Sequence, residues 1–301
     1  MNPVTLFLST GRCGTQWLAD ALGEVYADEA TVMHEPLGPR YMSSVCLRSK
    51  KSQDALRRTG EFQRHLARIR EALEEGAYIE TGWTVYGAVP VFQAEFGSAL
   101  RLVHLVRHPV RVAASYMTHH YYCGDRDDGY TKWAALRPTD NVVQKEYVAR
   151  WGEMTPFEKA LFQWTEVNLY AESLRGRGPF HAVRYEELFA AETVPLEGLV
   201  RFCGLPYRPE LAARRTERID KFRRKTDAEL PWEKVREHRE TLQLMQQYGY
   251  SLNEIRPDGM RRRYELTEME VVVRIARRLL HAALKRVRRT TQRLWRRAGR
   301  S

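Results

Sequence analysis

Residue types suited to binding anions are concentrated in Ser9-Thr10-Gly11-Arg12-Cys13-Gly14-Thr15-Gln16-Trp17. Its glycines permit a sharp turn and let backbone N–H groups approach an anion closely. Arg12 adds a full charge and Thr15 a hydroxyl donor. A helix starting directly after the loop would add its N-terminal dipole. The loop is not a Walker A motif: it has no G-x4-G-K-[ST] and no terminal lysine. A mononucleotide kinase or GTPase needs that lysine and a Mg²⁺-binding hydroxyl. The chemistry indicated is therefore recognition of phosphate-like groups without a triphosphate–Mg²⁺ requirement. In Arg107-His-Pro109-Val-Arg-Val-Ala-Ala-Ser115, an arginine and a serine eight residues apart can face a second phosphate. A capped glycine turn and a loop-capping Arg107 are the alternatives without chemistry.

The elements that must position these residues alternate between short apolar runs and longer helical patterns. Strands are expected at Val4–Leu8, at Leu100–Val106, at His181–Tyr185 and, more weakly, at Tyr78–Ile79. Helices are expected at Gln16–Tyr26, Val110–Met117, Phe157–Leu174, Leu196–Cys203 and Trp232–Tyr248. This alternation predicts an α/β fold: a three-layer αβα sandwich around a central parallel sheet. Tyr41–Arg58 and Tyr121–Asn141 lack periodicity and read as loops over the sheet. In open α/β sheets ligands gather at the strand carboxyl ends, where the Arg12 loop and Arg107 would both sit.

Five segments, in order, resemble the sulfotransferases that use 3′-phosphoadenosine 5′-phosphosulfate (PAPS). They are Gly11-Arg12-Cys13-Gly14-Thr15-Gln16-Trp17, Arg107 with Ser115, Val183-Arg184-Tyr185-Glu186-Glu187-Leu188, Phe202-Cys203-Gly204-Leu205-Pro206, and a late stretch ending Tyr248-Gly249-Tyr250. The resemblance runs from about residue 4 to residue 250 and implies a P-loop-like fold. It also implies that Thr10, Gly11, Arg12, Cys13, Gly14, Thr15, Gln16 and Trp17 hold the 5′-phosphosulfate. Arg107 and Ser115 would hold the 3′-phosphate, and Tyr185 would join the nucleotide site. Arg223, Arg224 and Lys225 stand where family members close a basic loop over the 3′-phosphate. The usual R-K-G is absent there, and a solvated basic face is the competing reading.

Sulfuryl transfer places charge on the leaving phosphate and needs a base for the acceptor hydroxyl. Arg12 is the expected charge stabiliser. The resemblance to carbohydrate and tyrosine sulfotransferases points to Glu35 as the base, in His34-Glu35-Pro36, with His34 as the alternative and loop capping or ion pairing by Glu35 as the structural reading. The cytosolic branch carries K-T-H before its 3′-phosphate strand, whereas this chain has Glu80-Thr81-Gly82-Trp83. That departure favours the Glu type and leaves the branch's second lysine without a counterpart. Tyr116, Tyr121, Tyr122, Tyr130 and Trp133 are candidates for an aromatic wall against a sugar or glycolipid acceptor. His119-His120 lacks a third ligand at sensible spacing, and no metal is expected.

The chain has 301 residues, of which 43% are hydrophobic, enough for a packed core and too many for global disorder. Four widely spaced cysteines give no disulfide framework or zinc site. The formal net charge of +11 is uneven: residues 256–301 carry 15 Lys and Arg against 4 Asp and Glu, while the preceding 255 hold 34 of each sign. The expected division is thus a domain over 1–255 and a basic tail over 256–301, without a nucleic-acid-binding core. In the tail Met269, Val272, Ala276, Leu279, Ala283, Val287 and Leu294 share one helical face, opposite Arg274, Arg278, His281, Lys285, Arg288, Arg289 and Arg296. A basic amphipathic helix over 264–301 suits an anionic membrane surface; packing on its own domain or on a second subunit is the alternative. The start lacks a secretory pattern, so the expected location is the cytoplasm, with peripheral attachment to the inner membrane face. A P-loop kinase-like phosphotransferase and an inactive nucleotide-binding scaffold are the rival functions.

Overall fold

The computed structural model describes residues 2–47, 49–123, 135–216, 224–273, 275–276 and 284. Tyr130, Trp133, Arg223 and most of the expected tail helix lie outside the described residues. Five strands form one all-parallel sheet: β1 (Val4–Leu8), β2 (Ala30–His34), β3 (Ala77–Thr81), β4 (Leu100–Val106) and β5 (Phe180–Arg184), in the order β2-β3-β1-β4-β5. The principal helices are α1 (Thr15–Val25), α2 (Gly60–Glu75), α3 (Val89–Phe96), α4 (Pro109–Met117), α5 (Pro156–Ser173), α6 (Val194–Phe202), α7 (Arg239–Gln247) and α8 (Pro257–Tyr264). The α/β sandwich with a parallel sheet is the fold expected from the sequence.

Central strands read as continuous apolar runs because both their faces are covered. Every residue of β1 is buried. Phe7, Val103 and Leu105 enter one core with Leu18 and Leu22 of α1 and Val110 of α4. Leu6, Leu8 and Leu102 enter the opposite core with Phe62 and Leu66 of α2 and Phe92 of α3. Helix starts are specified locally. Pro109 opens α4, where the His108 ring accepts from Val110 N at 3.3 Å. Thr155 and Glu158 form a capping box for α5.

Two segments expected otherwise from the sequence, Tyr41–Arg58 and Trp232–Tyr248, depart from that expectation. Tyr41–Arg58 is not a loop: it contains short helices Ser43–Cys46 and Lys50–Arg57. Tyr41 anchors it, donating to the buried Glu80 carboxylate at 2.5 Å, which His65 and Tyr78 also approach at 3.1 Å. Trp232–Tyr248 is a 3₁₀ turn, Trp232–Glu237, followed by α7. The break falls at His238, whose ring stacks on Tyr147 at 5.5 Å and bonds its hydroxyl at 2.8 Å. Residues 124–134 of the Tyr121–Asn141 segment lie outside the described part.

The chain crosses over after β1 to reach β2 and later returns to the other side for β4, so β1 lies at a topological switch point. The ends of β1, β2, β3 and β4 converge there, which is where open α/β sheets form their ligand crevice. Among the described residues no helix is long and apolar enough to cross a membrane.

Candidate active site

The segment after β1 is a left-handed turn, with φ of 76° at Gly11, 58° at Arg12 and 77° at Gly14. Gly14 is required on two counts. A Cβ there would lie 2.7 Å from Tyr185 Cε2, and its φ is one that side chains rarely adopt. Ser9 Oγ accepts from Gly11 N at 3.1 Å and donates to Gly82 O at 3.3 Å, tying the turn to the end of β3. Tyr116 OH donates to Thr10 O. The Cys13 thiol donates to Gly11 O at 3.1 Å, and burial pushes its pKa up to about 11, so it supports the turn as a neutral group.

The β1–β4 register pairs Leu8 with His104, which brings Arg107 abreast of this turn. Arg107 Nη1 donates to Arg12 O at 2.5 Å, and its guanidinium lies 4.4 Å from the Tyr185 ring centroid. Trp164 Nε1 donates to Arg107 O at 2.8 Å and fixes the strand end. Arg12 Nε donates to Ser115 Oγ at 2.9 Å. Burial first, and then the nearby Arg107 charge, lower the Arg12 pKa from the ordinary guanidinium value. Two cations held together in a partly dry site favour a polyanion between them.

These groups line one cavity of about 1090 Å³, compared with about 300–1,000 Å³ for small-molecule sites in general. Of the sequence-derived candidates, Arg12, Gly14, Thr15, Gln16, Trp17, His34, Glu35, Arg107, Ser115, Tyr185 and Arg224 line it. Thr10, Gly11 and Cys13 are buried within the turn segment and are not among the residues that line the cavity. Lys225 is turned to Glu270, with Nζ–Oε2 of 2.9 Å. Trp17 is buried and packs on Phe189 at 4.7 Å while donating from Nε1 to Arg214 O at 3.1 Å. Tyr185 also packs on Phe189, at 4.8 Å. The three rings form an apolar wall beside the turn.

Glu35 follows β2 and continues its pairing with β3, since Glu35 N donates to Thr81 O at 3.0 Å. Its φ is 46°, and its Cγ lies 2.7 Å from where a Cβ on Gly82 would stand, so glycine is needed opposite it. Arg12 and Glu35, which the sequence nominates for chemistry, are thus both held in left-handed backbone, at a cost of ~1–2 kcal/mol each. Thr81 Oγ1 donates to Thr15 O at 2.9 Å, so it accepts from His34 at 3.2 Å. That assigns His34 as the Nδ1–H tautomer, with Nε2 4.0 Å from Glu35 Oε1. Burial lowers the His34 pKa, which keeps the ring neutral at pH 7.

On this side the aromatic candidates Tyr116 and Tyr121 stack at 4.6 Å, and Trp83 meets Tyr121 edge-on at 6.0 Å. Tyr122 instead donates to Leu136 O and Gln163 Oε1, both at 3.0 Å, away from the cavity lining. Sequence reasoning missed Trp83, although it directly follows Gly82 at the end of β3. It also missed Arg111, whose i+4 spacing from Arg107 was a usable signal, and Arg256, Arg263 and Tyr264, which come from the basic tail.

The lining of the cavity is strongly basic. Among the described lining residues six arginines (12, 107, 111, 224, 256 and 263) face two carboxylates, Glu35 and Glu254. Arg107 Nε is buried and makes no hydrogen bond to the described residues.

A family profile described as "Sulfotransferase domain" matches residues 3–241. No curated protein sequence matches the chain. Similar solved structures include a sulfotransferase domain from the curacin biosynthetic pathway (18% identity, 84% of this chain and 99% of that one, TM-score 0.49). A second is the sulfotransferase domain of the Synechococcus PCC 7002 olefin synthase (17% identity, 83% and 96%, TM-score 0.46). A third is a mouse sulfotransferase complexed with PAP (16% identity, 71% and 64%, TM-score 0.42). The sulfotransferase profile spans residues 3–241, most of the chain, which therefore belongs to the sulfotransferase family.

Proposed function

We propose that this enzyme transfers a sulfuryl group from PAPS to an acceptor hydroxyl, with Glu35 as the base. The observation that carries this reading is the direct contact of the two anion-binding segments, Arg12 with Ser115 and Arg107 with Arg12, in the cavity that Glu35 lines. When bound, PAPS supplies a sulfuryl group activated by its phosphate anhydride. The Gly14–Gln16 turn and the start of α1 offer N–H groups and a dipole to the 5′ end, and Arg12 supplies charge where the phosphate leaves. Arg107 and Ser115 hold the 3′-phosphate. Glu35 accepts the acceptor's proton, and His34, held by Thr81, orients beside it as a neutral group.

The acceptor we favour is a carbohydrate or glycolipid. The support is the stacked Tyr116–Tyr121 pair with Trp83 edge-on to Tyr121, an aromatic cluster in the lining of the cavity that Glu35 also lines. The basic tail over 264–301 is proposed to meet an anionic membrane surface, and the cytoplasm, where PAPS is made, is the matching location. Deleting 277–301 should then move the protein from the membrane to the soluble fraction; unchanged fractionation ends that part of the reading. The chemistry is tested by incubating the full chain with radiolabelled PAPS and a panel of saccharides, glycolipids and phenols. Label on a saccharide or glycolipid supports the reading. Label on phenols alone overturns the acceptor class, and no transfer to any acceptor overturns the activity.

A further inference from the structure

The nucleotide cavity has one wall that the family profile does not cover. The profile ends at residue 241, yet Asn253, Glu254, Arg256, Met260, Arg263 and Tyr264 line the cavity. This segment is built into the domain. Met260 and Tyr264 are 6% and 5% exposed and belong to the same apolar core as α1 and α4. Its entry is fixed on the turn that follows Arg107: His108 Nε2 is 3.2 Å from Ser251 O, the His108 ring packs on Tyr250 at 5.3 Å, and Tyr250 OH donates to Val106 O at 3.2 Å. Its exit is fixed on the segment that carries Arg224. Thr226 N donates to Tyr264 O at 2.7 Å, Leu266 N donates to Thr226 O at 3.0 Å, and Lys225 pairs with Glu270. The segment therefore spans the cavity from the Arg107 end to the Arg224 end.

We propose that residues 251–270 form a strap that completes the nucleotide site, with Arg256 and Arg263 binding the 3′-phosphate of the donor. This rests on the PAPS reading above and deepens it. A phosphate monoester carries about −1.5 to −2 charge and three acceptor oxygens. Arg107 commits one Nη group to Arg12 O, so it offers that phosphate only part of its donor set. Arginine forks are suited to the remaining oxygens, and the strap brings two of them, Arg256 and Arg263, into the lining of the cavity that Arg107 also lines. The expected basic loop lacks its R-K-G pattern, and Lys225 is engaged with Glu270 rather than with the cavity. Among the described residues the loop contributes Arg224 to the lining and the strap adds Arg256 and Arg263. Its backbone bridge at Thr226 also holds Arg224 in place, so strap docking and 3′-phosphate binding reinforce each other.

The test is calorimetric titration of the full chain with adenosine 3′,5′-bisphosphate (PAP) and with adenosine 5′-monophosphate. A thermal melt of each variant confirms folding. The variant Arg256→Gln/Arg263→Gln keeps the buried Met260 and Tyr264 that hold the strap. It should bind PAP at least tenfold more weakly than the parent while its affinity for the monophosphate stays within twofold. Glu270→Gln, which frees Lys225 from the strap, should weaken PAP binding about threefold. Unchanged PAP affinity in the double variant overturns the strap proposal and leaves the PAPS reading intact. An equal loss for both nucleotides also overturns it, because the arginines would not then read the 3′-phosphate. A parent protein that binds neither nucleotide overturns the PAPS reading itself.

Discussion

Arg12→Gly separates the chemical role of Arg12 from its structural one. Arg12 has φ of 58°, a conformation that costs a side-chain-bearing residue ~1–2 kcal/mol and glycine essentially nothing. Glycine gains ~0.5–1 kcal/mol of unfolded-state entropy, which offsets part of that relief. Losing the 2.9 Å bond to Ser115 removes a further ~1 kcal/mol. Relief of the crowding with Arg107, the second cause of Arg12's lowered pKa, acts in the opposite direction. The net change in stability is therefore within about 1 kcal/mol, or about 2–4 °C in melting temperature for a domain of this size. Function should change far more. A charge-assisted hydrogen bond to the nucleotide is worth ~1.5–3 kcal/mol, roughly tenfold to a hundredfold in PAP affinity. Its loss from the transition state should cost about 10²–10³ in kcat. Calorimetry would measure Tm and PAP affinity on the same preparation. Unchanged PAP affinity, or a fall in Tm beyond about 8 °C, would refute this reasoning by making Arg12 a bystander or a structural residue.

Three further outcomes follow from the same geometry. Glu35→Gln should lower kcat by about 10²–10⁴ and leave PAP affinity within twofold; equal losses in both would make Glu35 a nucleotide-site residue rather than the base. Gly14→Ala places a Cβ 2.7 Å from Tyr185 in a backbone conformation costing ~1–2 kcal/mol. It should lower Tm by several degrees and weaken PAP binding, because the Tyr185 ring carries Arg107; a melt and titration matching the parent would contradict this. Glu172 is contacted by His104 at 3.2 Å, Arg175 at 2.7 Å and Tyr248 at 3.1 Å, and these contacts, His104 foremost, hold its carboxyl well below the usual carboxylate range. A depressed carboxyl contributes stability above its unfolded pKa and loses it as pH falls through the folded one. Glu172→Gln should thus be less stable than the parent at pH 6, with the gap closing below about pH 4.5; a gap independent of pH would exclude the linkage.

The strands most legible in the sequence are those buried on both faces. Val4–Leu8 and Leu100–Val106 match their runs residue for residue because a central parallel strand leaves no polar alternation to misread. Ala30–His34 escapes notice because it is an edge strand with an alternating, half-exposed pattern. The Tyr41–Arg58 segment looks like a loop because its order comes from a distant partner, the Glu80 carboxylate, rather than from its own periodicity. At the site, residue types and spacing nominated the Arg12 turn, Arg107 and Ser115, which the fold brings into contact. The left-handed backbone of Arg12 and Glu35 leaves no mark on residue type, since glycine is the usual occupant. Arg256 and Arg263 were hidden in the net charge of the tail, where basic residues that reach the cavity look no different from those facing solvent.

The most direct test of the account is a crystal structure of the chain with PAP bound. The account predicts one nucleotide in the cavity, with its 5′-phosphate on the Gly14–Gln16 backbone and Arg12, its adenine beside the Trp17–Phe189 wall and its 3′-phosphate on Arg107 Nε and Ser115. A nucleotide seated elsewhere, or bound with its two phosphates away from Arg12 and Arg107, would contradict it.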